Sequence, residues 1–180
     1  MSEEWRLKVG AGTLVAWPTG AGAKGSDGVA DYLAHSRGTI GYVEYGLAVR
    51  KKLSYAFVAN RAGNFVVPGP ASFRAAIAGM EWLHGQEFYV SLTNVAHPDA
   101  YPIIAASFAL ILRYPRETEA MSAGGPIPLA VRSRAVLAFF RFALHDGQET
   151  AASLNYLPLP PPLMQEVGAY WNSNWGVSGD

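Results

Sequence analysis

The chain of 180 residues contains no cysteine, which excludes disulfides, thiolate metal sites and a cysteine nucleophile together. It has no excess of charge of either sign. Fourteen basic side chains balance fourteen acidic ones, so the chain as a whole exerts no strong long-range attraction on nucleic acid, an anionic membrane or an acidic substrate. Long apolar runs are missing as well. The most apolar stretch, Ile103 to Leu112, is interrupted by Ser107 and reaches about half the length of a membrane-spanning helix. The opening Met1-Ser2-Glu3-Glu4-Trp5-Arg6-Leu7-Lys8 has no basic region followed by an apolar one, so no secretory signal is expected in this chain. A Gly-x-Ser-x-Gly nucleophile elbow is absent too. What remains is a globular composition. Half of the residues are hydrophobic, enough to build a sizeable core in one domain or slightly more.

Glycine and proline punctuate the pattern. Val9 to Trp17 reads as a glycine turn into a short strand, closed by Pro18 and the glycine-rich Thr19 to Gly25. From Ser26 to His35, Val29, Tyr32 and Leu33 recur at helical spacing, with Ser26 as the expected N-cap and Asp27 suited to the positive helix end. Arg37-Gly38-Thr39 turns the chain into a buried strand predicted at Ile40 to Val43, and Tyr45 to Lys51 continues as a helical turn. Arg61-Ala62-Gly63-Asn64 reads as a hairpin turn between strands at Ser54 to Val58 and Phe65 to Val67. Pro70 opens the next helix, with Phe73, Ile77, Met80 and Trp82 on its apolar stripe and its end near Gly85. Tyr89 to Leu92 and Ala105 to Tyr114 are strand-like, the second expected as a buried central strand. The strongest helical pattern is Arg132 to His145, with Ala135, Phe139, Phe142 and Ala143 near one face and Gly147 beyond its end. A short helix is expected over Glu149 to Leu154. After Pro158-Leu159-Pro160-Pro161-Pro162, a last helix carries Leu163, Val167, Tyr170 and Trp171 at helical spacing. Strand, helix and strand alternate in the first half, which points to an α/β layer.

Local features that suggest chemistry have bland readings beside them. Gly20-Ala21-Gly22-Ala23-Lys24-Gly25-Ser26 has the flavour of a phosphate loop, but Lys24 precedes Gly25, whereas the motif places glycine, lysine and then a hydroxyl residue in succession. The reading kept is a glycine loop leading into a helix whose first turn, at Ser26 to Val29, presents N–H groups to an anion, with Asp27 opposing it. His84, His97 and Asp99 lack a third ligand at a recognisable spacing, so neither a metal nor a hydrolase site is expected there. Glu44, between Tyr42 and Tyr45, is read as capping a strand and pairing with Arg37 or Lys51 rather than as a functional carboxylate. Trp17, Trp82, Trp171 and Trp175 are read as packing residues, and Arg50-Lys51-Lys52 as a solvated basic face.

The ordered series Ser26-Asp27-Gly28-Val29, Arg37-Gly38-Thr39-Ile40-Gly41-Tyr42-Val43-Glu44-Tyr45, Tyr101-Pro102-Ile103-Ile104, Phe139-Phe140-Arg141-Phe142-Ala143, Asn155-Tyr156-Leu157-Pro158-Leu159-Pro160 and Ala169-Tyr170-Trp171 resembles the PstS-type phosphate-binding proteins of ABC transporters. The resemblance runs from about Glu3 to Asn174 and corresponds to the carboxy-terminal portion of that family. It implies an α/β fold of the periplasmic binding-protein class (type II), a mixed sheet flanked by helices, incomplete relative to the family's two lobes. Residues 1–114 would form a second-lobe-like domain, 115–130 a loop insertion, and 131–180 the helices that pack on the first lobe. The implied activity is capture of inorganic phosphate and its delivery to ABC transporter permease subunits, without a cofactor, a metal or catalysis, in the periplasm and without a nucleic-acid partner.

The family's phosphate donors lie upstream of the matching residues. The candidates left within this chain are therefore Ser26 and Gly28, and binding by the chain alone is expected to be reduced or lost. The alternative implied is an interaction or scaffold domain that kept the fold without the ligand, self-associating through the surface that the missing lobe would cover.

Overall fold

The computed structural model describes residues 2–12, 14–78, 80, 88–111 and 129–175, with side chains from Arg134 to Asn174 in the last segment. Of the anticipated loop insertion at 115–130 only residues 129–130 are described, and they are helical rather than loop; its remainder, Trp82, His84, the helix end near Gly85, the last residues of the strand ending at Tyr114 and the side chain of Trp175 lie outside these. The chain divides into two compact units, Met1–Ser54 and Tyr55–Asp180. Helices dominate, and the described sheet is a single two-stranded pair.

The first unit holds three helices, α1 (Glu3–Lys8), α2 (Gly25–His35) and α3 (Tyr45–Arg50). The sequence reading missed α1, although its signals are present: the Ser2 hydroxyl accepts from the Trp5 N–H at 3.1 Å, Glu3 and Glu4 fill the first turn, and Arg6 and Lys8 fill the last. Trp5 then closes the turn that follows, its indole N–H donating to the Gly10 carbonyl at 2.8 Å. Helix α2 falls where the periodicity placed it, with Ala30 buried, but it begins at Gly25 and its N-cap is Lys24 rather than Ser26. Gly41 explains the glycine in the run leading to α3, because a Cβ there would stand 3.2 to 3.3 Å from Leu33 and Val29 on α2. Leu47 and Ala48 of α3 are buried.

In the second unit β1 (Val58–Ala59) pairs antiparallel with β2 (Phe65–Val66) in the register Val58 to Val66 and Ala59 to Phe65. The turn between them is the anticipated one, with Gly63 at φ +86°, a conformation that only glycine adopts cheaply. Pro70 occupies the first turn of α4 (Pro70–Ile77), which ends where Ala78 turns extended. Asn60 is the anchor of this region and is only 7% exposed. Its amide nitrogen faces the carbonyls of His97, Pro98 and Ala100 at 3.3, 2.8 and 3.1 Å, and its carbonyl accepts from the N–H groups of Ala62 and Asn64 at 3.0 and 3.1 Å. The Tyr101 N–H reaches the Ser72 carbonyl at 3.3 Å, and the Tyr101 ring meets Phe73 edge-on at 6.0 Å. The hairpin, α4 and the loop from Val95 to Pro102 are thereby stitched into one body.

The carboxy-terminal helices are α5 (Leu129–Leu144), α6 (Gln148–Ser153) and α7 (Pro161–Trp175). Arg141 donates to the Asn172 side chain at 2.8 Å, joining α5 to α7. Gln148 donates to the Ala143 carbonyl at 2.7 Å and accepts from the Leu159 N–H at 2.9 Å, which fixes the proline connector. On α7 the stripe Leu163, Val167, Tyr170 and Trp171 is buried or half-buried, as its spacing implied. On α5 it is not. Leu137 is the buried anchor at 1% exposure, whereas Phe139 and Phe142 are 62% and 56% exposed.

The strand expectations fare worst. No strand is assigned at the described residues of 9–17, 40–43, 89–92 or 105–111, and of 54–58 only Val58 is in a strand. Ile40 is 93% exposed and Leu110 95%, so neither run is the buried strand that its composition suggested. A strand is made by its neighbour, because its N–H and C=O groups are satisfied only across a ladder. Among the described residues these runs have no ladder.

Candidate functional site

The glycine loop reaches α2 through Gly20 at φ +117° and Gly25 at φ +66°. With lysine at the N-cap, no cap side chain accepts from the first-turn N–H groups. Those N–H groups and the positive end of the helix dipole favour an anion. The Ser26 hydroxyl stands exposed in the same turn and Lys24 immediately before it, while Asp27 places a carboxylate there that opposes a second negative charge. Gly28 is half-buried, and a Cβ there would lie 3.5 Å from the Ala23 Cβ, an ordinary contact. Its small size is therefore not a steric requirement of this turn.

Behind that turn an ion pair braces the helix. Lys51 donates to the Asp31 carboxylate at 2.8 Å. This hydrogen bond, reinforced by the charge on Lys51, holds the Asp31 carboxyl below its ordinary value and raises the Lys51 ammonium. Lys51 is thus engaged by Asp31. Glu44 occupies the N-cap position of α3, where its carbonyl accepts from the N–H groups of Leu47 and Ala48, both at 3.1 Å. It precedes a helix rather than capping a strand.

The remaining singled-out residues separate into structural roles. Trp17 packs edge-on to Trp5 at 5.6 Å and lies 6.5 Å from Tyr42, an aromatic cluster of residues far apart along the chain. His97 accepts from the Asp99 backbone N–H through Nδ1 at 3.2 Å and offers its own carbonyl to Asn60. This pair belongs to the loop that Asn60 ties down. No group of three histidine or acidic side chains that could hold a metal occurs among the described residues. Nor is any helix among them long and apolar enough to cross a membrane. Burial raises the Tyr101 phenol above its ordinary value, in keeping with its seat against α4.

Comparison with known proteins gives this arrangement its setting. The chain is 39% identical over 175 residues to the phosphate-binding protein PstS of Xylella fastidiosa strain Temecula1, covering 97% of this chain and 45% of that protein. It is 38% identical over 173 residues to PstS of Pasteurella multocida, covering 96% of this chain and 47% of that one. The sequence is PstS-like over almost its whole length. The likeness extends to PstS of Methanocaldococcus jannaschii at 28% identity over 160 residues. This chain spans about half the length of the curated PstS proteins that it matches. No family model matches it.

Proposed function

We propose that this chain supplies part of a phosphate-binding protein, one that captures inorganic phosphate and hands it to the permease subunits of an ABC transporter in the periplasm. The observation that carries the reading is the identity of 36 to 39% to proteins named for phosphate binding, sustained over 96 to 97% of this chain. In that reading the described helices and hairpin are most of one lobe of a type II binding-protein fold. Residues 1–114 form the lobe, the residues between it and α5 an insertion, and the helices from α5 onward dock on the other lobe.

Phosphate binding in such a fold is capture without covalent change. It rests on converging N–H groups, hydroxyls and a basic side chain, each charge-assisted bond being about twice as strong as a neutral one. The first turn of α2, with Ser26, Gly28 and the preceding Lys24, is the donor set that this chain offers. One helix end opposed by Asp27 is a weak anion site, so the chain by itself binds phosphate poorly. Isothermal calorimetry with inorganic phosphate at low salt, with sulfate as competitor, tests this. Millimolar or no binding agrees with the reading. Micromolar, phosphate-selective binding abolished by Ser26→Ala would place a complete site within this chain and overturn the account of shared donors.

A second reading, a scaffold domain that binds no ligand, is favoured by one observation: the aromatic face of α5 at Phe139 and Phe142 is exposed, and exposed apolar patches mark interaction surfaces. Sedimentation velocity separates the two, since a scaffold of this kind self-associates through that face and Phe139→Ser abolishes the association.

A further inference from the structure

Arg50, Lys51 and Lys52 are consecutive basic residues, all exposed, where α3 ends and just before the boundary of the first compact unit at Ser54. Lys52 has φ +54°, a left-handed conformation that costs free energy for any residue with a Cβ. The last turn is therefore strained. Beyond it, 53–57 belong to no helix or strand, and Ser54, Tyr55, Ala56 and Phe57 are exposed. Exposed, irregular backbone beside a basic side chain is what a protease cutting after lysine or arginine selects, because the bond must be drawn out straight before it is cut.

The other described basic residues are held more firmly. Those of α1, α4 and α5 lie within helices, and Lys24 runs directly into α2. The chain after Arg37 is seated where Gly41 meets Leu33 and Val29. The turn after Arg61 is tied by the Asn60 side-chain oxygen, which accepts from the Ala62 and Asn64 N–H groups.

We propose that the Lys52–Leu53 peptide bond is a processing site for a trypsin-like serine protease, and that the ion pair between Asp31 and Lys51 is its latch. Such an enzyme seats a basic side chain in an acidic pocket beside the bond it hydrolyses. Water adds across the amide, leaving a carboxylate on Lys52 and an amine on Leu53. The cut divides neither set of buried residues: Ala30, Leu47 and Ala48 stay in 1–52, while Ala76, Leu137 and Leu163 stay in 53–180. The latch acts on the turn that must open. There the Lys51 N–H donates to the Leu47 carbonyl and the Leu53 N–H to the Ala48 carbonyl, both at 2.9 Å, while the Lys51 ammonium holds the Asp31 carboxylate on α2 at 2.8 Å. The site does not depend on the phosphate-binding reading.

Limited digestion of the full chain with trypsin, followed by intact-mass spectrometry, tests both parts. The expected first products are 1–52 and 53–180. Asp31→Asn and Lys51→Met each speed this cut about two- to fivefold, the range for losing an exposed ion pair when cleavage follows the opened population. Cleavage after Arg74 in α4 keeps its rate, which separates release of the latch from general loosening. A first cut after any other basic residue overturns the site. Equal rates in the parent and both variants overturn the latch, and so does a matching acceleration at Arg74.

Discussion

Asn60 uses nearly all of its side chain. Its amide nitrogen serves three carbonyls of the loop at 97–100 and its oxygen serves two backbone N–H groups of the turn. Removing such a group strands buried partners, and each stranded polar group costs about 1–3 kcal/mol. Asn60→Ala therefore lowers the urea midpoint by the equivalent of roughly 2–3 kcal/mol. Asn60→Asp, which keeps the accepting oxygen but points a carboxylate at three carbonyls, is no less damaging. The Asp31 and Lys51 pair is exposed, and its effect is read by titration. The Asp31 carboxyl titrates below its ordinary 3.8, so the contribution of the pair is present above that pH and fades as pH falls through the lower folded value. On the lysine side the contribution is intact below 10.5 and fades as pH rises through the raised folded value. Lys51→Met returns the Asp31 carboxyl to the ordinary range in an NMR titration. If Asp31 does not move, the pair is not formed in solution. Neither residue signals its role in sequence, because each meets a partner at least twenty positions away.

Helices announce themselves through their own residues, and strands do not. Helices α2, α3, α4, α6 and α7 fall within a few residues of where spacing and end signals placed their starts, because an α-helix satisfies its hydrogen bonds within four positions. Helix α5 shows where local reading stops. Its length was legible, yet the side that meets the protein is marked by Leu137 and not by Phe139 and Phe142. Leu137→Ala is expected to cost about 2–5 kcal/mol by opening a cavity. Phe139→Ala costs under about 0.5 kcal/mol in this chain, as at other exposed sites. Equal losses in chemical denaturation would show that Phe139 is covered. Gly147, expected just beyond the end of α5, has φ −73°, so it is needed for space and not for a left-handed turn. A Cβ there would sit 2.9 Å from the Cα and carbonyl oxygen of Ala143, so Gly147→Ala destabilises the α5 to α6 junction by about 1–3 kcal/mol. A thermal scan in which Gly147→Ala melts with the parent protein would contradict that.

At the scale of the whole molecule, Leu92, Leu137 and Leu163 are buried while Ile40, Phe139 and Leu110 are not, and composition draws no line between the two sets. The candidate anion site follows the same division. A glycine loop running into a helix start was legible from Gly20 to Gly28, whereas Lys24 as its cap depends on where the backbone turns. What the sequence determined by itself is local: helix positions, the hairpin turn at Gly63, the absence of thiol chemistry and the likeness to PstS. Tertiary structure alone decided which apolar residues are buried, that Asn60 holds a loop some forty positions away, and that strand-like runs such as 40–43 have no ladder among the described residues. The physical reason is that helix and turn energies are set by neighbours along the chain, while burial and ladder pairing depend on what the fold brings alongside.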